Sequence, residues 1–437
     1  MPIHVHEPPY TFLLAHLSSH LPHSGPLLRR IQHQVNSPTP SPTARVLASF
    51  SSDENPSSDL DSAQPWIAAY TDVHQGPDTQ VWVFSNLESK PKHAVTEREK
   101  QITKFHLLSL FRFIQAHLVP PYLDWVASSQ PVHKKEAGGE EGETGVKKIP
   151  PHPLASVLLG SVHEFIVGLI VELAGEEKKL RIHRGQNVFY AKYCFPSSSF
   201  EHEDDFNNAK KLEKSGYTFT DSAETYGITE RHIPLVKSRT NIPRSTEALL
   251  AMGGVALYHS PSCFSPSHAQ GQGPVGEIVR GDGEMPIAWA FLGFDGSLSS
   301  LHVEPDHRGR GLAVAVGREV MKRGVNVFGQ SYPYSYPDSH PRPHGYGDGK
   351  GNADSNVTFN GDGVVNEARH TPSSNESAGA DPDLLVPVKL DQETEKEEWF
   401  FADVAVENTA SRRVMEKMGG EALWNVAWMV VEVEGHI

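Results

Sequence analysis

Val303-Glu-Pro-Asp-His-Arg-Gly-Arg-Gly-Leu-Ala-Val314 is the stretch on which the reading of this chain turns. It follows a run that predicts a strand and opens a run that predicts a helix. Glycines let the backbone approach a ligand closely, and the first turn of a helix offers unpaired N–H groups at the positive end of its dipole. The junction therefore predicts a phosphate site, and Arg308, Arg310, Arg318, Lys322 and Arg323 supply a basic surround. Alone, such a stretch is more often a tight turn than a ligand site, so its neighbours must support it.

Upstream, Tyr217 to Thr220 predicts a short strand, Ile228 to Lys237 and Ser245 to Ala251 two helices, and Val255 to His259 and Pro286 to Phe294 paired strands. Asp295-Gly296 makes a hairpin turn into the strand Ser297 to Val303, and a helix runs from Leu312 to about Arg323. Downstream, 329–397 is dominated by Pro, Gly, Ser, Asn, Asp and charged residues and is expected to be a disordered insertion, open to a protein partner. Its tyrosine run, Ser331 to Pro337, fits a low-complexity linker. Patterning resumes with a strand from Trp399 to Val406, a helix from Asn408 to Met418 ended by Gly419-Gly420, and final strands within Leu423 to Val433.

In this order the C-terminal half resembles the GNAT superfamily of acyl-CoA-dependent N-acyltransferases. Arg308-Gly-Arg-Gly311-Leu-Ala313 fits the Q/R-x-x-G-x-G/A loop of that family, and Asn408 to Gly419 resembles its second signature helix. Pro286-Ile-Ala-Trp, the Asp-Gly turn and Val-x-Pro-x-x-Arg-Gly-x-Gly-Leu look most like the glycine N-acyltransferase-like branch. The resemblance covers roughly Tyr217 to Ile437, the insertion aside. It implies an α/β fold with a mixed, mainly antiparallel sheet flanked by helices, and acetyl-CoA or another acyl-CoA as donor. It further implies that backbone amides of Arg308, Gly309, Arg310, Gly311, Leu312 and Ala313 cradle the pyrophosphate. Leu301 and Val303 would bind pantetheine and the thioester carbonyl through their backbone, with Asn408 and Ser411 on the far side. Where many relatives carry a glutamate on the strand and a tyrosine on the second helix, this chain has Ser297 and Ser299, and Met415. His302 and Asp295 are the remaining candidates for proton transfer. Set against that, His302 also fits a solvent-facing or core histidine, Asp295 a turn former and Asn408 an N-cap.

The N-terminal half predicts two short helices within Tyr10 to Val35, strands at Arg45 to Phe50, Trp66 to Tyr70 and Gln80 to Phe84, and a helix from Glu97 to Leu118 stopped by Pro120-Pro121. A disordered loop near 129–151, a buried helix from Leu154 to Leu173 and a strand near Asn187 to Cys194 follow. The expected division is an α/β partner domain at 1–205, degenerate GNAT-like under the resemblance, and an acyltransferase domain at 206–437. No phosphate loop occurs in the first, so one cofactor site is expected. No short internal repeat stands out.

A formal charge of −15 over 437 residues argues against nonspecific binding to nucleic acid or an anionic membrane. The two cysteines, Cys194 and Cys263, are too far apart in sequence to suggest a disulfide framework or zinc ligands, and no metal is expected. Leu154 to Ala174, the longest apolar segment, is broken by His163, Glu164 and Gly168 and does not read as a membrane span. A cytoplasmic protein is expected; mitochondrial import is the alternative, against which Pro8, Pro9 and Pro22 interrupt any amphipathic leader. The expected reaction is acyl transfer to a primary amine of a small molecule or amino acid. A silent acyl-CoA-binding protein and a protein lysine or N-terminal acetyltransferase are the alternatives.

Overall fold

The structure, a computed structural model, describes residues 2–51, 64–76, 78–129, 149, 151–200, 210–240, 242, 244–260, 284–328 and 398–433. The expected insertion at 329–397 and nearly all of the expected loop at 129–151 lie outside these residues. The N-terminal half runs β1 (His4–His6), α1 (Thr11–Ser19), α2 (Gly25–Asn36), β2 (Arg45–Ala48), β3 (Ile67–Thr71), β4 (Val81–Ser85) and α3 (Glu97–Phe113). It continues with α4 (Val119–Ser129), β5 (Val157–His163), α5 (Glu164–Glu176), β6 (Leu180–Arg184) and β7 (Tyr190–Pro196). The C-terminal half runs β8 (Tyr217–Thr218), α6 (Ile233–Ser238), α7 (Thr246–Ala251), β9 (Gly253–His259), β10 (Ala288–Leu292) and β11 (Ser297–Val303). After it come α8 (Leu312–Phe328), β12 (Trp399–Ala405), α9 (Thr409–Lys417) and β13 (Glu421–Val433).

The order strand, two helices, three strands, helix, strand, helix, closing strand thus occurs in both halves, with α4 and β6 added in the N-terminal one. Both halves have a mixed, mainly antiparallel α/β architecture flanked by helices. The strands form one sheet, β1-β2-β3-β4-β5-β13-β7-β12-β11-β10-β9-β8, with β6 also on β13. Among the described strands, only β4 with β5 and β11 with β12 are parallel.

The closing strands are exchanged between the halves. β7 lies between β12 and the first part of β13, whose second part pairs with β5 and β6. Side chains follow the exchange: Tyr193 and Phe195 pack in the C-terminal core with Phe400 and Met418, while Met429 and Val431 pack in the N-terminal core with Leu107 and Ile166. Each such apolar side chain contributes about 1.5–3 kcal/mol on burial, so the exchange ties the halves by more than any surface contact. At the seam, Lys192 of β7, fully buried, lies 2.9 Å from Asp403 of β12.

Two expectations need correction. Pro120-Pro121 does not stop the helix, because a π turn at Ile114–Leu118 bonds the Val119 amide to the Ile114 carbonyl and places both prolines in the first turn of α4. A first turn has no amide bond for proline to break. The run from Leu154 to Leu173 is not one helix; its first part is β5, with Val157, Leu159 and Val162 in the core, and the His163 side chain accepts the Phe165 amide at 3.0 Å to start α5. An apolar run gives no periodicity that separates buried strand from buried helix, and β13, the strand that settles it, comes at the far end of the sequence. The short β1 and the charged edge strand β6 were not anticipated.

Candidate active site

β11 and β12 are in register only at Ser297 with Phe401 and Leu298 with Ala402, and then part. A bulge at Ser300, whose φ is 52°, bends β11 at the point of separation. The Glu304 amide bonds to the Ile287 carbonyl beside β10 at 2.8 Å, so alternation turns the peptide groups of Val303 and Leu301 toward the opposite edge, into the gap. The Val303 carbonyl already accepts from Arg308 Nε at 2.8 Å, which leaves its amide and the Leu301 peptide facing the gap. Arg308 thereby fixes the start of the loop.

Beyond a turn at Pro305–His307, Gly309 and Gly311 have φ of 77° and 81°, a left-handed conformation that side chains disfavour. A Cβ at either would meet nothing within 4 Å, so the requirement is conformational and the space beyond is open. The Ala315 amide bonds to the Gly311 carbonyl at 3.2 Å; ahead of it, the amides of Leu312, Ala313 and Val314 have no acceptor among the described residues. They open on a cleft of about 590 Å³ lined by Gly311, Leu312, Lys211, Arg310, Arg318 and Lys322. Arg310 is held by the Tyr217 hydroxyl at 2.7 Å and the Asp306 carbonyl at 3.3 Å. Free amides at a helix N-terminus, left-handed glycines and a cationic wall fit a pyrophosphate with a further phosphate. Arg323 is turned away, pairing with Glu319 at 2.7 Å beneath Tyr226. Asn408 caps α9, its Oδ1 accepting the Ser411 amide at 3.1 Å, which leaves only Nδ2 of its side chain for a ligand.

The corresponding junction of the N-terminal half is closed. Between β4 and α3 the Ser85 amide donates to Glu88 Oε1 at 2.9 Å, and Thr96 caps α3 by accepting the Glu99 amide at 3.3 Å. Glu99 Oε2 in turn accepts the Thr96 amide at 2.8 Å. Lys90, and then the Thr96 amide, pull the Glu99 carboxyl down to about 2. A carboxylate already holds this helix end.

A second, smaller cavity of about 140 Å³ takes residues from both halves: Asp78, Arg244, Asp295, Ser299, Ser300 and Asp403 among them. Because Ser299 and Ser300 form the β11 bulge, this cavity reaches the place where β11 leaves β12. Asp295 lies in its wall, but its oxygens hold the Ser297 amide and hydroxyl, both at 3.1 Å, and Trp82 Nε1 at 3.4 Å. His302 is not in that wall; it stacks on Trp289 at 4.6 Å, and its Nε2 lies 3.7 Å from Glu304. Burial holds the His302 ring below the usual imidazole value, against the pull of Glu304, so it is neutral near pH 7. Lys192 also donates to Ser161 Oγ at 2.7 Å, and burial pushes Asp403 up against the opposing pull of Lys192. The structure thus separates the two candidates for proton transfer and adds residues that no local pattern marks: Asp78 looks like a turn residue after Gly76-Pro77, and Arg244 merely precedes the Ser245 cap.

Among the described residues, no group of three or more His, Cys, Asp or Glu is arranged to hold a metal ion, and no helix is long and apolar enough to cross a membrane.

Residues 1–193 match the family model described as the acyl-CoA N-acyltransferase verG N-terminal domain, in agreement with the acyl-CoA N-acyltransferase that the sequence resembles. No curated protein sequence matches the chain. Similar solved structures include a Drosophila protein at 10% identity and TM-score 0.47, with 99% of each chain covered. A putative GNAT-family acetyltransferase from Novosphingobium aromaticivorans aligns at 11% identity and TM-score 0.28, over 59% of this chain and 69% of its own. A GCN5-related N-acetyltransferase from Kribbella flavida aligns at 10% identity and TM-score 0.29, over 64% and 69%.

Proposed function

We propose that the chain transfers an acyl group, most simply acetyl, from acyl-CoA to a primary amine of a small molecule, using one donor site in its C-terminal half. The observation that carries this is the open junction at Gly309 and Gly311: unpaired helix amides and a basic cleft lie beside the split between β11 and β12. The amides from Gly309 to Ala313 would hold the pyrophosphate, and Arg310, Lys211 and Lys322 the remaining negative charge. The backbone at Leu301 and Val303 would align the pantetheine arm and donate to the thioester oxygen as charge grows on it. Acyl-CoA supplies the activated carbonyl; the protein supplies proximity, orientation and exclusion of water, which account for much of such a rate. Met415, where relatives carry a tyrosine, is 2% exposed and packs in the core, so the departing thiolate takes its proton through water.

Release of free thiol is followed with acetyl-CoA against amino acids, polyamines and lysine peptides. Acceptor-dependent release with a small amine is expected. Binding of acetyl-CoA without release for any acceptor would contradict an acetyltransferase and point to a silent binding protein.

A further inference from the structure

We infer that the cavity between the halves is an acceptor site for a compound bearing both an amino and a carboxylate group, with Arg244 holding the carboxylate and Asp78 taking the ammonium proton. This deepens the proposed acyltransferase function and rests on it.

The geometry has three parts. The cavity is bounded by the β11 bulge at Ser299 and Ser300, so an amine inside it lies at the mouth of the split assigned to the thioester. Its volume, about 140 Å³, equals roughly five waters and is below the range of sites for larger ligands, which favours a small acceptor over a polypeptide segment. Within it, two oppositely charged groups are incompletely paired. Arg244 donates one Nη to Ser299 Oγ at 3.0 Å while its buried Nε meets no acceptor among the described residues; Asp78, which Ser245 contacts through its hydroxyl and amide, keeps a buried Oδ1 that meets no donor among them. Among the described residues the two form no direct ion pair. The Nε of Arg30, a residue 3% exposed in the same wall, also meets no acceptor among the described residues.

Buried polar atoms without partners are costly, about 1–3 kcal/mol each, and a ligand that pairs them recovers this. A guanidinium with an unmet donor suits a carboxylate, and a carboxylate with an unmet oxygen suits an ammonium. The other acids are engaged: Asp295 by Ser297 and Trp82, Asp403 by Lys192. Burial raises the Asp78 carboxyl above its ordinary value, opposed by Arg244, the Ser245 hydroxyl and amide, and Lys237, which brings it nearer to the range of a working base. Asp295, Arg30 and the Lys192–Asp403 pair are the remaining charges in or behind this wall.

In the reaction, Asp78 Oδ1 takes one proton from the ammonium. The freed nitrogen lone pair forms the N–C bond, the C–S bond breaks and its electron pair leaves on sulfur. The second nitrogen proton reaches the thiolate through water, and Asp78 returns its own to solvent. The products are the N-acyl amino acid, free thiol and one proton.

The test measures thiol release with a panel of amino acids, each beside its carboxamide, together with acetyl-CoA affinity by calorimetry. For the wild-type protein, acids are preferred over carboxamides; Arg244→Gln removes that preference, at about 10- to 100-fold in kcat/KM through KM, and Arg244→Lys restores part of it. Asp78→Asn lowers kcat by about a hundredfold or more and abolishes the acid limb of its pH profile, while Asp78→Glu keeps that limb. Acetyl-CoA affinity stays unchanged in all four variants. Equal use of acids and carboxamides by the wild type, or an acid limb that survives in Asp78→Asn, overturns the assignment. Failure of the wild type to bind acetyl-CoA would instead remove the donor site on which it rests.

Discussion

After β4 and after β11 the chain makes the same move, from a sheet strand beside a parallel neighbour into a long helix, yet the two helix ends are finished in opposite ways. At α3, Thr96 and Glu99 close the N-terminus with a capping box and place a carboxylate at its positive end. At α8, two left-handed glycines lead into the helix, its first turn carries no acidic residue, and cations line the cleft beside it. One end stabilises the fold by itself; the other is left for an anion. A repeated order of elements can therefore keep one half for binding and use the other, with its additional α4 and β6, as a wall of the acceptor cavity.

The largest effect expected from breaking this arrangement is at the exchanged seam. Lys192→Ala leaves the Asp403 carboxylate buried without its partner, and should cost about 3–5 kcal/mol in urea unfolding, with both halves lost in one transition. A cost below about 1 kcal/mol would show that the exchanged strands do not bind the halves together. Next comes the open junction. Gly311→Asp should raise the acetyl-CoA Kd by about 100-fold or more, since it sets a negative charge against the site of the pyrophosphate. Its fold should persist, because the added Cβ meets nothing within 4 Å and aspartate tolerates left-handed backbone better than most residues. Lys322→Ala should weaken acetyl-CoA by about tenfold, an effect that shrinks with added salt.

The smallest effects belong to the closed junction. Thr96→Ala should cost about 1 kcal/mol of stability and leave acetyl-CoA affinity unchanged. Glu99 has its folded pKa depressed from an ordinary 4.5 to about 2, so its contribution is present above pH 4.5 and is lost as pH falls through about 2. Because its partner Lys90 is exposed and the pair is screened by solvent, it accounts for under about 1 kcal/mol, measurable as the difference between wild type and Glu99→Gln in acid unfolding.

Much of the C-terminal half was legible because its signals are local: glycines before a helix, Ser245 as a cap, an Asp-Gly turn, and β11 with the residues predicted for it. The duplicate in the other half was less so, since Thr96 and Glu99 do by capping what glycines leave open in α8, and the two junctions share no residue pattern. The exchange of β7 and β13 leaves no local trace; it appears only when Met429 is found in one core and Phe195 in the other. The acceptor cavity was hidden for the same reason. Asp78, Arg244 and Asp403 lie far apart in sequence and meet only through folding, whereas the nearby His302 and Asp295 drew notice by their position beside the motif.

Calorimetric titration of the full chain with acetyl-CoA tests the contrast between the two junctions most directly. One site per chain, lost in Gly311→Asp and retained in Thr96→Ala, is the predicted result. Two sites per chain, or binding that survives Gly311→Asp, would contradict it.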